Sequence, residues 1–143
     1  MKYEPLHNIG VFIHAVDLDI TKFVNQVLKE IQLTNEQNLL MALLWEREGI
    51  SQNEIAAKLN KDKAGIARMI STLERKGYIR RKSCPSDKRS TEVYLTDEGK
   101  KLGDDVMPIN KGIIREINKG ITDEEMAELR RLLMKVRENV NNS

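Results

Sequence analysis

Apolar positions recur along the chain with two different spacings. They fall at Ile9, Phe12, Ile13, Val16, Ile20, Phe23, Val24, Val27, Leu28 and Ile31, the three- and four-residue steps of a helix about six turns long. That stripe is wider than a lone surface helix of a small domain needs. Thr34 caps a second helix over about 35–48, apolar at Leu39, Leu40, Leu43 and Leu44 with Trp45, and Gly49 ends it. Ser51 and Glu54 have the spacing of a capping box and open a short helix over about 52–59, with Ile55, Ala56 and Leu59 on one face. Asn60 and Lys61 make a turn, and Asp62 is a suitable N-cap. A helix over about 63–76 then buries Ile66, Met69, Ile70 and Leu73, and Gly77 stands where a left-handed residue ends it.

The spacing then changes. Residues 78–82 and 91–95 read as two short strands around a turn-rich, cationic run from Ser83 to Ser90. Ile50 is placed to add a third short strand. Thr96 caps a helix to about residue 118, with Asp97 and Glu98 favourable at its positive end. Pro108 should kink it, since it removes a backbone donor and crowds the preceding turn. Lys119 and Gly120 break it. Thr122 and Glu125 form a second capping box, and Met126, Leu129, Leu133, Val136 and Val140 give the last helix a heptad-like seam. Two short helices, a tight turn and a basic hairpin make a winged helix-turn-helix. The fold class is mainly α with a small β-hairpin wing. Residues 34–103 would be the winged helix-turn-helix, and residues 1–33 and 104–143 dimerisation helices that pair two copies.

The charge supports this division. The whole chain is only +2. From Lys58 to Arg89, however, there are 11 lysines and arginines against 3 acids, a positive footprint centred on the motif, as nucleic-acid binding requires. The face of the 63–76 helix carrying Lys63, Ala64, Gly65, Arg68, Ser71 and Thr72 is small, polar or cationic. Such a face can approach a groove closely and donate to phosphates and base edges. Gln52, Asn53 and Lys61 are expected on the DNA backbone, and Lys82, Lys88 and Arg89 on the wing. A single cysteine rules out an intramolecular disulfide framework and fits a reducing, cytoplasmic compartment. No apolar run approaches the roughly 20 residues of a membrane span, and the start MKYEPLHN has no apolar stretch of a signal peptide.

The run LERKGYIRRKSCPSDKRSTEVYLTDEGKKL resembles the recognition-helix end, wing and following helix of the MarR (multiple antibiotic resistance regulator) family. The family's Asp-x-Arg wing motif stands here as Asp87-Lys88-Arg89, and its Leu-Thr-x-x-Gly as Leu95-Thr96-Asp97-Glu98-Gly99. The resemblance covers nearly the whole chain, the wing being the specific part. It implies a homodimer joined by its terminal helices that binds double-stranded DNA at a pseudopalindromic operator, commonly as a repressor. It further implies that Asp87 shapes the wing by pairing with an arginine, that Arg89 enters the minor groove, and that a small, often phenolic or anionic effector binds between the two parts of the fold.

Other constellations are weaker. His7 and His14 are the only histidines. Seven helical residues span about 10.5 Å, too far for one zinc ion to take both, so no metal or other cofactor is expected. His14 fits an interior or effector-pocket position. Trp45 fits core packing or the lining of that pocket. Cys84 lies among wing cations that would favour its thiolate, so it is either an ordinary exposed thiol or a redox switch. Neither histidine has a catalytic context and no Gly-rich phosphate loop follows a strand, so an enzyme is not expected. Two rival readings stay open: a non-specific architectural DNA binder and a winged-helix module that docks an acidic protein.

Overall fold

A computed structural model describes residues 5–84 and 87–143, with the side chains of residues 5, 84 and 87–89 outside the description. The order is α1 (Ile9–Leu28), α2 (Asn35–Glu46), β1 (Ile50–Ser51), α3 (Gln52–Lys58), α4 (Lys63–Arg75), β2 (Ile79–Cys84), β3 (Asp87–Leu95), α5 (Asp97–Asn118) and α6 (Asp123–Asn141), with short 3-10 turns at Pro5–His7 and Lys29–Ile31. The chain divides into two units, Met1–Lys111 and Gly112–Ser143. No helix among the described residues is long and apolar enough to cross a membrane.

In the first unit the strands form one antiparallel sheet in the order β1-β3-β2. Ile50 pairs with Val93, and Arg81 pairs with Val93 from the other side. The hairpin strands are longer than their apolar pattern suggests, because backbone pairing continues through the polar residues towards the turn. The core is built where the helices meet this sheet. Leu28, Leu40, Met41, Leu44, Ile55, Ile66, Ile70, Leu73, Ile79 and Val93 are buried. Burying each such side chain contributes about 1.5–3 kcal/mol.

Local signals explain most element ends. At the end of α4, Gly77 has φ +86°. Its N–H donates to the Glu74 carbonyl and that of Tyr78 to the Leu73 carbonyl, the paired bonds of a Schellman cap. Thr34 forms a full capping box with Gln37, and Thr122 one with Glu125. Only half of the expected Ser51–Glu54 box forms. Ser51 Oγ accepts from the Glu54 N–H, but the Glu54 carboxylate is taken by Arg47 at 2.7 Å. Asp62 has the extended backbone of an N-cap, yet its side chain makes no capping bond. Helix α5 runs unbroken through Pro108.

The Leu95-Thr96-x-x-Gly99 stretch has a clear physical cause. Leu95 is buried. Thr96 Oγ1 accepts from the Gly99 N–H at 3.0 Å and donates to the Gly77 carbonyl at 2.5 Å. The Thr96 N–H donates to the Tyr78 carbonyl. A Cβ at Gly99 would run into that same carbonyl. This closes the root of the hairpin against the end of α4.

The second unit comprises the end of α5, a turn with Gly120 at φ +77°, and α6. No residue of α6 is buried.

Candidate nucleic-acid interface

Helix α3, a turn and helix α4 are followed directly by the β2–β3 hairpin. Lys63, Ala64 and Arg68 are exposed on α4, with Ser71 and Thr72 half-buried further along. Among the described residues, the side chains of Lys63 and Arg68 make no hydrogen bond or ion pair, so both are available to a ligand. Gly65, expected on the same face, is buried, and a Cβ there would lie 2.6 Å from Asp62 Oδ1. Both that atom and Lys61 Cε, the next nearest, are ends of surface side chains that can move aside, so packing alone does not account for the glycine.

Other expected contacts are already engaged. Lys61 Nζ bonds Glu36 Oε2 at 2.5 Å. Thr72 Oγ1 donates to the Arg68 carbonyl at 3.1 Å, its own preceding helical turn. Ser71 Oγ accepts from the Arg81 guanidinium at 3.2 Å. Asn53 is exposed and Gln52 half-buried in the first turn of α3. On the hairpin, Arg80 and Lys82 are exposed and stand over the Tyr94 ring, 5.8 and 6.0 Å from its centre. The side chains of Cys84, Asp87, Lys88 and Arg89 lie outside the described residues, as do Pro85 and Ser86.

The two candidates for an effector pocket are not brought together. His14 is exposed on α1, a correction to its expected interior place. Only the last two turns of α1, at Val24 and Leu28, reach the core. Trp45 is half-buried and lines a cleft of about 330 Å³ with Arg47, Leu95, Lys100, Gly103 and Met107. Its indole N–H donates to the Gly99 carbonyl at 2.9 Å. A Cβ at Gly103 would lie 2.8 Å from that nitrogen, so Trp45 and the start of α5 fit only because residue 103 is glycine.

Two pairings escape sequence reasoning. Asn38, 7% exposed, and Asn110 exchange side-chain amide bonds of 2.7 and 3.3 Å between α2 and α5. Arg81 joins the hairpin to α4: its guanidinium bonds Glu74 Oε1 at 3.0 Å and its backbone N–H bonds Glu74 Oε2 at 3.1 Å. The backbone bond first, and the guanidinium after it, hold the Glu74 carboxyl below the usual carboxylate range. The available signal was two opposite charges flanking the helix-ending Gly77.

Comparison with known proteins agrees with this architecture. Residues 33–91 match the model of the MarR family. The chain is 33% identical over 103 residues to the uncharacterised HTH-type transcriptional regulator YdgJ of Bacillus subtilis, covering 72% of this chain and 63% of that protein. It is 31% identical over 104 residues to the transcriptional regulator HosA of Escherichia coli O111:H-, covering 73% of this chain and 77% of HosA. The crystal structure of the transcriptional regulator SlyA superposes with a TM-score of 0.83 at 28% identity, covering 94% of this chain and 95% of that one. With its helix-turn-helix, its basic hairpin and these relatives, the chain belongs to the MarR family of winged-helix, DNA-binding transcriptional regulators.

Proposed function

We propose that two copies of this chain bind a pseudopalindromic operator as a cytoplasmic, sequence-specific repressor. The observation that carries this is the pair Lys63 and Arg68, exposed and unengaged on α4 beside a cationic hairpin. Each α4 enters a major groove, with half-sites about 10 base pairs apart. Arg68 reaches base edges or phosphates, and Lys63 and Asn53 hold the backbone. The hairpins lie along the flanking minor grooves, where Arg89 is drawn by the negative potential and Asp87 shapes the loop.

Residues 1–33 and 104–143 pair the copies. What supports this is the apolar surface of α1 and α6 left uncovered in one chain, with Phe12 63% and Val140 67% exposed. Release of the operator by a small molecule follows if that molecule favours one spacing of the two α4 helices, since it shifts the population only by its differential affinity. The cleft beside Trp45 is the place such a ligand would occupy.

Selection of bound duplexes from a random pool at near-physiological salt tests the proposal. A palindrome with half-sites one turn apart is expected. Salt-dependent binding with no sequence preference would mark a non-specific binder. No binding at low salt would move the basic surface to a protein partner.

A further inference from the structure

A carboxylate within a basic, DNA-binding motif is electrostatically out of place, because it opposes the phosphates that the neighbouring cations attract. Glu74 is such a group, the next-to-last residue of α4. The bonds it makes account for it. Strand β2 is an edge of the sheet, so alternate N–H groups on it point away from β3 with no strand to receive them. At Arg81 that N–H is taken by Glu74, at 3.1 Å. The same residue's guanidinium returns along α4, reaching Glu74 Oε1 at 3.0 Å and Ser71 Oγ at 3.2 Å. One residue of the hairpin is thus bound to two of α4, one turn apart, through its backbone and its side chain.

We propose that Arg81 is a positioning residue: held by Glu74 and Ser71, it sets the angle of the wing to the recognition helix and spends its charge there, not on a phosphate. The root of the hairpin is pinned by Thr96 to Gly77. That fixes where the wing begins. The Arg81 bonds, two residues further along β2, add the second point needed to fix where it aims. This inference rests on the DNA-binding function proposed above, because an aimed wing matters only if it meets a groove.

The sign of one substitution separates the alternatives. If Glu74 were only a misplaced anion, Glu74→Ala would tighten DNA binding. Instead the clasp requires Glu74→Ala to weaken operator binding by about five- to tenfold, as expected for loss of charge-assisted hydrogen bonds that are partly exposed. The loss should be confined to base pairs flanking each half-site, while preference at its centre is kept. General destabilisation would not produce that pattern. Arg81→Ala should lower affinity to a similar degree and leave the salt dependence of binding unchanged. A phosphate contact would instead reduce the slope of log K against log salt by about one. Unchanged or tighter binding by Glu74→Ala, or that fall in slope for Arg81→Ala, overturns the proposal.

Amide hydrogen exchange in the free protein reads the clasp without DNA. In Glu74→Ala the Arg81 amide should exchange faster while its neighbours paired to β3 keep their protection. An unchanged Arg81 amide overturns the clasp. A wild-type chain that selects no sequence overturns the operator reading and leaves the exchange result to decide the clasp.

Discussion

The middle of the chain and its two ends use the same helical spacing of apolar residues and meet different fates. In the middle, Leu40, Leu44, Ile55, Ile66, Ile70, Leu73 and Val93 are all buried within one chain. At the ends, Leu6, Ile9 and Phe12 precede or open α1, and Leu129, Leu132, Leu133 and Val140 line α6, all exposed. The exposed set is regular, and most helical stability in proteins comes from packing an apolar face rather than from propensity. The difference separates two tasks. The middle buries its apolar residues within one chain, with Val24 and Leu28 of α1 joining that core, and the remaining turns of the terminal helices leave an apolar surface that the proposed pairing would cover.

The largest effect should come from breaking the ends. Glu at both Leu129 and Leu133 should abolish pairing and lower operator affinity by about 10²–10⁴-fold, since each half-site must then be held alone. Amide hydrogen exchange at the buried positions of the middle should change little, and sedimentation would show single chains. Next, Ile70→Ala in the middle should cost about 2–5 kcal/mol of stability through the cavity it leaves, measured by denaturant unfolding. If both changes proved equally disruptive to folding, the two regions would form one cooperative unit.

Smaller effects sharpen the contrast. Asn110→Leu leaves the buried Asn38 amide without its partner and should cost about 1–3 kcal/mol. Replacing both asparagines by leucine should recover part of that loss. Arg68→Ala should cost about 1–3 kcal/mol of operator binding if it pairs a base edge, with no change in melting temperature. The smallest effect belongs to Glu128 on α6. Its hydrogen bond to Arg131, aided by that charge, lowers its carboxyl from the usual range. A lowered folded pKa stabilises only above the unfolded value and is lost as pH falls through the folded one. Because this pair is open to solvent, Glu128→Gln should leave the melting temperature at neutral pH unchanged.

Local pattern was a sound guide wherever the cause was local. The 3-and-4 spacing located α1, α2, α4 and α6, Gly77 and Gly120 marked helix ends, and Thr122 and Glu125 formed their box. It was a poor guide where a distant residue competed. The Glu54 carboxylate left Ser51 for Arg47, and Lys61 turned to Glu36, 25 residues away. The Asn38–Asn110 pair spans 72 residues and has no sequence signature. At the candidate site, Lys63, Ala64 and Arg68 are exposed as their face suggested, but Gly65 is buried. His14 shows the same limit, since a position on an apolar stripe becomes interior only where another element covers that turn.

The most direct test is the number of chains on one duplex, measured by sedimentation of the protein saturated with its selected operator. The account predicts two chains of 16.5 kDa per duplex, with a footprint symmetric about its centre. A single chain bound at full affinity, with α1 and α6 still open to solvent, would contradict it.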